Sequence, residues 1–277
     1  MNGILYLCAT PIGNLGDISA RCLEVMENAD LIACEDTRRT VQLLNHFGIK
    51  KQLTSYHEHN KREKGEYIIN LLKDGKNVVL VSDAGTPAIS DPGEDLVKLC
   101  IENDLQVTPI PGCVAGINAL IVSGLPTRRF AFEGFLSVNK RHRKEHLESV
   151  KNDTHTLIFY EAPHKLPYTL ADMLEILGDR KIALCRELTK IHEEVIRTTL
   201  SEAQSLYTET SPKGEFVIVI EGAKEPEKEE QWWEELSIEQ HVEKYIEDGI
   251  DSKEAVKMTA KDRGLPKREV YNEYHKI

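Results

Sequence analysis

The strongest constraint on the fold of this chain is the segment 78–93, where an apolar strand pattern meets a polar turn. Val-Val-Leu-Val runs directly into Ser-Asp-Ala-Gly-Thr-Pro-Ala-Ile-Ser-Asp-Pro-Gly. A continuous β-branched run is typical of a parallel strand that is covered on both faces. Open α/β sheets bind their ligands at the carboxyl ends of such strands. The segment therefore predicts a parallel sheet with a binding site near Ser82, Asp83 and Thr86.

The rest of the chain extends this α/β pattern into several parts. Strand patterns at 3–8, 29–34, 77–82 and 105–110 alternate with helical ones, which predicts an α/β domain over residues 1–124. A second α/β domain is predicted over 125–222, an acidic linker over 223–236, and a helical tail over 237–277. In that tail Gly264-Leu265-Pro266 separates two helical patterns, which is the outline of a helix-turn-helix. A helical hairpin that only packs or dimerises is the alternative.

Composition excludes some classes of protein. The 277 residues carry a formal net charge of −11, which disfavours binding nucleic acid over the whole surface. A local basic patch at 140–144, Lys-Arg-His-Arg-Lys, stays open either as a functional patch that widens the RNA contact or as a solvated loop entering a helix. No apolar run is long enough for a membrane span, and no signal peptide is expected at the N-terminus. Six cysteines without a C-x-x-C pair predict buried, reduced thiols and a cytoplasmic location.

Polar side chains follow most of the predicted strands, and several of them are candidates for chemistry. Glu161 and Glu187 are candidates for a general base or for hydrogen bonds to a ligand, and Arg186 and Lys190 for phosphate contacts. Surface ion pairs are the alternative for all four. His57 lies in a polar, aromatic loop suited to a nucleotide. His57 and His59 lack a third ligand, so no metal is expected.

A series of ordered motifs over residues 3–222 resembles one family. The motifs are L-Y-L-C-A-T-P-I-G-N-L-G-D, E-D-T-R-R-T, S-Y-H-E-H-N, V-S-D-A-G-T-P-A-I-S-D-P-G, E-G-F-L, F-Y-E-A-P-H-K-L, R-E-L-T-K and K-G-E-F-V-I-V-I-E-G. They resemble the ribosomal RNA small subunit methyltransferase I family, a branch of the tetrapyrrole (corrin/porphyrin) methylase superfamily. The tail from Ser237 resembles the helix-turn-helix appendage of that family.

The resemblance implies a two-domain tetrapyrrole-methylase-like fold with S-adenosylmethionine in the cleft between the domains. It implies methyl transfer to the 2′-hydroxyl of a cytidine in small-subunit (16S) ribosomal RNA, and a homodimer. The positions that would bind the cofactor are Pro11, Ile12, Asp83, Thr86, Pro87, Ala88, Cys113, Val114 and Tyr160. Arg38, His57, Arg186 and Lys190 are expected to contact the RNA, and Glu161 and Glu187 are the catalytic candidates.

Two other functions stay open at this stage. An enzyme on the same fold that methylates a tetrapyrrole carbon would need an open, largely apolar trough. A non-catalytic RNA-binding assembly factor would keep the fold but show no turnover of the cofactor. The histidine and arginine motifs and the C-terminal tail favour RNA over a tetrapyrrole.

Overall fold

The computed structural model describes residues 1–209, 211–224 and 231–276. These residues form two compact units, Met1–Ala223 and Lys224–Ile277. The first unit contains two five-stranded sheets, and the second contains three helices. Residues 225–230 of the predicted acidic linker lie outside the described residues.

The first sheet is entirely parallel, as the segment 78–93 predicts. Its strands lie in the order β3-β2-β4-β1-β5. They are β1 (Ile4–Cys8), β2 (Leu31–Cys34), β3 (Leu53–Ser55), β4 (Val78–Val81) and β5 (Gln106–Ile110), with helices α1 (Ala20–Asn28), α2 (Thr37–His46), α3 (Lys61–Lys73) and α4 (Gly93–Glu102). Each sheet face has its own apolar core, one shared with α3 and α4 and the other with α1 and α2. Because both faces are covered, β2 and β4 are buried at every position.

The second sheet is mixed, in the order β6-β7-β10-β8-β9, with β6 and β7 as its parallel pair. Its strands are β6 (Phe130–Phe135), β7 (Thr156–Glu161), β8 (Lys181–Arg186), β9 (Glu194–Thr199) and β10 (Phe216–Ile220). Three helices connect these strands: α6 (Lys140–Val150) follows β6, α7 (Leu166–Leu177) follows β7, and α8 (Leu200–Glu209) follows β9. Side chains of all three helices share one apolar core with one face of the sheet.

Helix α5 (Ala115–Ser123) covers the other face of the second sheet, although it comes before residue 124 in the chain. Ala119 and Leu120 of α5 pack with Ile158, Ala183 and Val217. A helix rich in small and apolar residues needs a broad apolar surface, and this sheet face provides one. The connection between the two sheet layers is therefore the loop 111–114, which precedes α5.

The predicted basic patch at 140–144 is largely neutralised by ion pairs. Arg143 is buried and donates to Asp172 at 2.8 Å and 2.7 Å. Lys144 pairs with Glu175, and Arg141 pairs with Glu145 on the same helix. Lys140 and His142 have no ion pair with the described residues and are exposed together with Arg141, so the first turn of α6 still presents basic side chains to solvent.

The C-terminal unit contains α9 (Ile238–Glu247), α10 (Ser252–Arg263) and α11 (Lys267–His275). Ser237 begins α9 with a capping box to Gln240, which satisfies free amides at the helix start. Gly264 ends α10 at φ +63°, a left-handed conformation that costs glycine little. The helices enclose a small core of their own, formed by Val242, Ala255, Val256, Ala260 and Val270.

Two further sequence predictions concern cysteines and membrane spans. All six cysteines are free thiols, and five of them are buried. No helix among the described residues is long and apolar enough to cross a bilayer.

Candidate active site

Three loops meet at the carboxyl edge of the first sheet, after β1, β4 and β5. Thr10 and Gly85 exchange backbone hydrogen bonds of 2.9 Å and 3.1 Å, which joins the first loop to the second. The Thr86 hydroxyl donates to the Cys113 carbonyl at 2.9 Å, which joins the second loop to the third. The connection after β1 leads to one side of the sheet and that after β4 to the other, so the loops meet where the strand order reverses.

Gly85 is required where these loops meet. Its φ is +86°, and a Cβ there would lie 3.3 Å from Ile12 Cγ2 and 3.4 Å from the Cys113 carbonyl. Only glycine combines this backbone conformation with such close packing at low cost. The glycine of the motif Asp-Ala-Gly-Thr therefore allows Ile12 to lie close against the loop after β4.

The loop after Thr86 is shaped by the Asp91 carboxylate. Asp91 accepts hydrogen bonds from the Ala88 amide at 2.9 Å and from the Gly93 amide at 2.7 Å. Ala88 and Ser90 have φ values of 67° and 62°, which a non-glycine residue adopts only when its surroundings enforce it. Burial raises the pKa of Asp91, while the amide hydrogen bonds oppose that rise.

A cavity of about 660 Å³ lies between these loops and the second sheet. Its volume is within the range of small-molecule sites. Five of the nine positions predicted to bind a cofactor line it: Ile12, Asp83, Thr86, Val114 and Tyr160. Of the other four, Pro11 lines a smaller cavity beside it, Cys113 and Ala88 make the loop hydrogen bonds above, and Pro87 lies between Thr86 and Ala88.

Tyr160 forms an aromatic wall of the larger cavity. Its ring meets Phe132 and Phe135 edge-to-face, with ring centroids 5.0 Å and 5.4 Å away. Its hydroxyl accepts a hydrogen bond of 3.0 Å from the Gly116 amide in the first turn of α5. Burial raises the pKa of Tyr160, so the phenol stays protonated at neutral pH. An apolar, aromatic wall of this kind is suited to a planar heterocycle.

The smaller cavity has a volume of about 290 Å³ and lies between α2 and the loop after β1. Arg39, Ser82 and Asp83 line both cavities, so they form a shared wall. Asp83 Oδ2 lies 3.2 Å from Arg39 Nη1, and Asp83 Oδ1 accepts a 3.0 Å hydrogen bond from the Asp36 amide. The carboxylate of Asp83 thus fixes the start of α2 against β4.

The arginine that faces the two cavities is Arg39, whereas the sequence analysis selected Arg38. The Arg38 side chain is 88% exposed, donates to both carboxylate oxygens of Asp36 and lines neither cavity. Those hydrogen bonds lower the pKa of Asp36 to about 2. Adjacent helical residues point about 100° apart, so only one of the pair can face the site.

Glu161 lines the larger cavity, and both of its carboxylate oxygens already have partners within the protein. Oε1 lies 2.7 Å from Lys165 Nζ and accepts from the Ala162 amide at 2.9 Å, and Oε2 accepts from the Thr169 hydroxyl at 2.7 Å. The side chain is 1% exposed, and Lys165 lies 5.7 Å below the Phe135 ring. The geometry is that of a buried ion pair that supports the cavity wall.

Glu187 lines neither cavity, and its carboxylate joins the loop after β8 to the residue before β10. Its Oε1 accepts from Lys190 Nζ and from the Glu215 amide, both at 2.9 Å. Lys190 thereby lowers the pKa of Glu187. The Lys190 side chain lies over the loop after β1, because a Cβ on Gly13 would stand 2.4 Å from Lys190 Cγ. Gly13 is therefore needed for this close approach.

None of the four residues expected to bind RNA, Arg38, His57, Arg186 and Lys190, lines either cavity. Arg186 pairs with Glu194 at 3.0 Å. His57 is edge-on to His59, and its Nδ1 is buried without a hydrogen-bond partner among the described residues. No group of three histidine, cysteine or acidic side chains in the described ranges is arranged to hold a metal ion.

Two cavity residues, Glu35 and His164, were not selected as site residues, although both stand in motifs that the sequence analysis quotes, E-D-T-R-R-T and F-Y-E-A-P-H-K-L. Burial, together with the nearby charges of Asp83 and Asp91, raises the pKa of Glu35. Glu35 directly follows β2, and His164 follows the end of β7 by three positions. Their positions at strand ends are the signal that could have identified them.

Comparison with known proteins identifies the relatives of this chain. The model of the tetrapyrrole (corrin/porphyrin) methylases matches residues 4–204. A ribosomal RNA small subunit methyltransferase I from Halalkalibacterium halodurans is 55% identical over 99% of this chain and 95% of its own length. The chain belongs to the ribosomal RNA small subunit methyltransferase I family. A Bacillus subtilis member is 52% identical over 99% of this chain and 94% of its own length.

Solved structures show the same fold at low sequence identity. Diphthine synthase superposes with a TM-score of 0.61 and 16% identity, over 79% of this chain and 90% of its own. The uroporphyrin-III C-methyltransferase of Thermus thermophilus, solved with S-adenosylhomocysteine, has a TM-score of 0.55 and 17% identity, over 78% and 97%. The family assignment and the shared fold confirm the predicted tetrapyrrole-methylase-like architecture.

Proposed function

We propose that this protein transfers a methyl group from S-adenosylmethionine to the 2′-hydroxyl of a cytidine in small-subunit (16S) ribosomal RNA. The observation that carries the proposal is the cavity of about 660 Å³ at the carboxyl edge of a methylase-family sheet. Relatives that match almost the full chain are named ribosomal RNA small subunit methyltransferases. We also propose a cytoplasmic location, since the proposed substrate is a ribosomal RNA.

The larger cavity fits the methyl donor in size and in chemistry. Tyr160, Ile12 and Val114 provide apolar walls for the adenosyl group, and Thr86 lies beside them. Glu35, Asp83 and Asp91 also line the cavity, and Arg39 lines it beside Asp83. Acidic side chains therefore outnumber basic ones in this wall, which favours a cationic ligand. When bound, S-adenosylmethionine supplies an electrophilic methyl group on a positively charged sulfur.

The protein contributes mainly by orienting the reactants. Proximity and alignment can lower a barrier by about 7–11 kcal/mol. We assign Glu161 a positioning role, because both of its oxygens already accept bonds from groups that shape the wall. We also assign Glu187 a positioning role, because its carboxylate binds Lys190 and the residue lines neither cavity. The buried pair of Glu161 and Lys165 keeps Phe135 and the segment 162–164 in place.

Mapping of ribose methylation tests this function. Small subunits from cells that lack the protein, incubated with the purified chain and labelled S-adenosylmethionine, are expected to gain one labelled 2′-O-methylcytidine. Mass spectrometry of nuclease fragments locates the label. Transfer to a precorrin-type tetrapyrrole but not to the subunit would support the tetrapyrrole alternative, and absence of turnover on any RNA would support an assembly factor.

The helical tail is the part of the chain that we propose widens the RNA contact. Residues 251–277 include seven lysines and arginines and five acidic residues, in a chain whose net charge is −11. Lys267 and Arg268 begin α11, the last helix of this unit. Phosphate contacts of this kind add affinity and fix the register of the RNA. Arg38, His57, Arg186 and Lys190 are the further contacts that we propose in the first unit.

Removal of residues 237–277 is expected to weaken binding to the small subunit while leaving S-adenosylmethionine affinity unchanged. The tail encloses its own apolar core, so the deletion takes no side chain from the cores of the two sheets. Binding to labelled subunits at several salt concentrations and calorimetric titration of the cofactor measure the two effects. Lys267→Ala with Arg268→Ala should reproduce part of the loss, whereas Glu269→Ala with Glu273→Ala should not. Equal RNA binding by all these proteins would make the tail a structural element.

A homodimer is the assembly we propose, and exposed apolar side chains support it. Ile117 and Ile121 of α5 and Phe130 and Phe132 of β6 are all more than a third exposed. Phe132 lies close to α5, 3.5 Å from the position of a Cβ on Gly116, so the two groups are near each other. Apolar patches on a monomer commonly mark association surfaces.

A further inference from the structure

The smaller cavity has apolar side chains from two elements of the fold. Leu15, from the loop after β1, and Leu43, from α2, contribute apolar walls, and Pro11 adds a third apolar surface. Leu15 is 40% exposed, although it is large and apolar. Apolar walls with a few polar groups are the usual composition of small-molecule sites.

The polar side chains of this cavity lie along one helix and at the shared wall. Arg39, Gln42 and Leu43 of α2 all line the cavity, which is the i, i+3, i+4 spacing of a single helix face. The Gln42 amide has no hydrogen-bond partner among the described residues and is exposed, so both its donor and its acceptor are available. An amide of this kind can bond to the Watson–Crick edge of a base.

The position of the smaller cavity relates it to methyl transfer. Asp83 and Arg39 face both cavities, so a ligand in the smaller one would meet a ligand in the larger one at this ion pair. Arg39 is 66% exposed, so the pair can be displaced without uncovering the core. The Asp83 carboxylate accepts hydrogen bonds and thus can hold a ribose hydroxyl at the junction.

We infer that the smaller cavity is the acceptor subsite and takes a single pyrimidine nucleoside that has been unstacked from the RNA. The inference rests on the proposed function and deepens it. The base lies between Leu15 and Leu43 with its polar edge toward Gln42. Its ribose lies at the Asp83–Arg39 wall, with the 2′-hydroxyl toward the larger cavity. Enzymes that modify a nucleotide commonly extrude it from its stack into such a pocket.

Filling the smaller cavity with an indole ring tests the inference. Gln42→Trp is expected to lower kcat/KM on small subunits by about 100-fold, because the acceptor nucleoside can no longer align. S-adenosylmethionine affinity, measured by calorimetry, should be unchanged, because Gln42 does not line the larger cavity. Val41→Trp is the matched control, since Val41 is also exposed on α2 but lines neither cavity. Leu15→Trp fills the same cavity from the loop after β1 and should reproduce the Gln42→Trp result.

The possible outcomes distinguish a failure of the acceptor subsite from a failure of the proposed function. Normal transfer by Gln42→Trp and Leu15→Trp would overturn the acceptor subsite and leave the proposed function standing. An equal loss of S-adenosylmethionine affinity in both would also overturn it, because the smaller cavity would then belong to the donor. Absence of ribose methylation by the unaltered protein would overturn the proposed function itself and, with it, the subsite.

Discussion

Replacing Asp83 by alanine is expected to lower S-adenosylmethionine affinity about tenfold and methyl transfer about 100-fold. Asp83 binds the Asp36 amide and Arg39, and it faces both cavities. Its loss frees Arg39 and the first turn of α2 and removes a negative charge from the wall of a site for a cationic ligand. Calorimetry measures the affinity, and incorporation of labelled methyl groups into small subunits measures the transfer.

Asp95→Ala is the control for this experiment. Asp95 forms a surface ion pair of 2.8 Å with Lys61, lies on α4 and lines neither cavity. Exposed pairs contribute about 1 kcal/mol at most, so this variant should bind and transfer normally. Unchanged cofactor affinity in Asp83→Ala would contradict the role given to Asp83. An equal loss in both variants would indicate a general effect of removing negative charge.

Glu161→Gln is expected to destabilise the protein by about 3 kcal/mol, the largest stability effect predicted for this chain. The substitution leaves the Lys165 ammonium, which is 10% exposed, without its carboxylate partner. Adding Lys165→Met removes the unpaired charge, so the double variant should recover most of the loss. Urea unfolding at neutral pH measures the free energy of unfolding of the unaltered protein, of Glu161→Gln and of the double variant. Glu148→Gln, which breaks a surface pair with Lys151, should cost less than about 1 kcal/mol.

The same variants separate a positioning role for Glu161 from a catalytic one. If Glu161 only supports the cavity wall, the double variant should regain methyl transfer together with stability. If Glu161 accepts the proton, the double variant should be stable, bind S-adenosylmethionine and still fail to transfer. Measuring kcat at a temperature where every variant is folded, with cofactor affinity alongside, distinguishes the two.

The parts of this fold that follow local pattern could be predicted from the sequence. The apolar runs of β2 and β4 predicted buried parallel strands because both faces of the first sheet are covered. The strand β3 was missed, since its three half-buried residues, Leu-Thr-Ser, are too short and too mixed to show a period. The position of α5 could not be predicted either, because its sequence shows that the helix is apolar but does not show which sheet it covers.

The site was predictable in its loops but not in its side-chain pairing. The turn after β4 was predictable because Gly85 and the neighbouring prolines restrict the backbone conformation locally. Which of Arg38 and Arg39 faces the site depends on how α2 is rotated about its axis. The polar residues at the start of this helix do not determine that rotation. The pairing of Glu161 with Lys165 is a matter of burial at a strand end, and the sequence alone does not distinguish a buried pair from a free carboxylate.

The location of α5 bears on how this protein could be divided into fragments. A cut after residue 124 would leave an apolar helix attached to the wrong half, with Leu120 and Ala119 exposed and the face of the second sheet uncovered. A cut within 111–114 would keep each core whole but would sever the strand-to-helix loop that carries Val114 into the larger cavity. Split versions and circular permutants should therefore be cut at exposed turns away from residues 111–124, where neither α5 nor the loop that carries Val114 is disturbed.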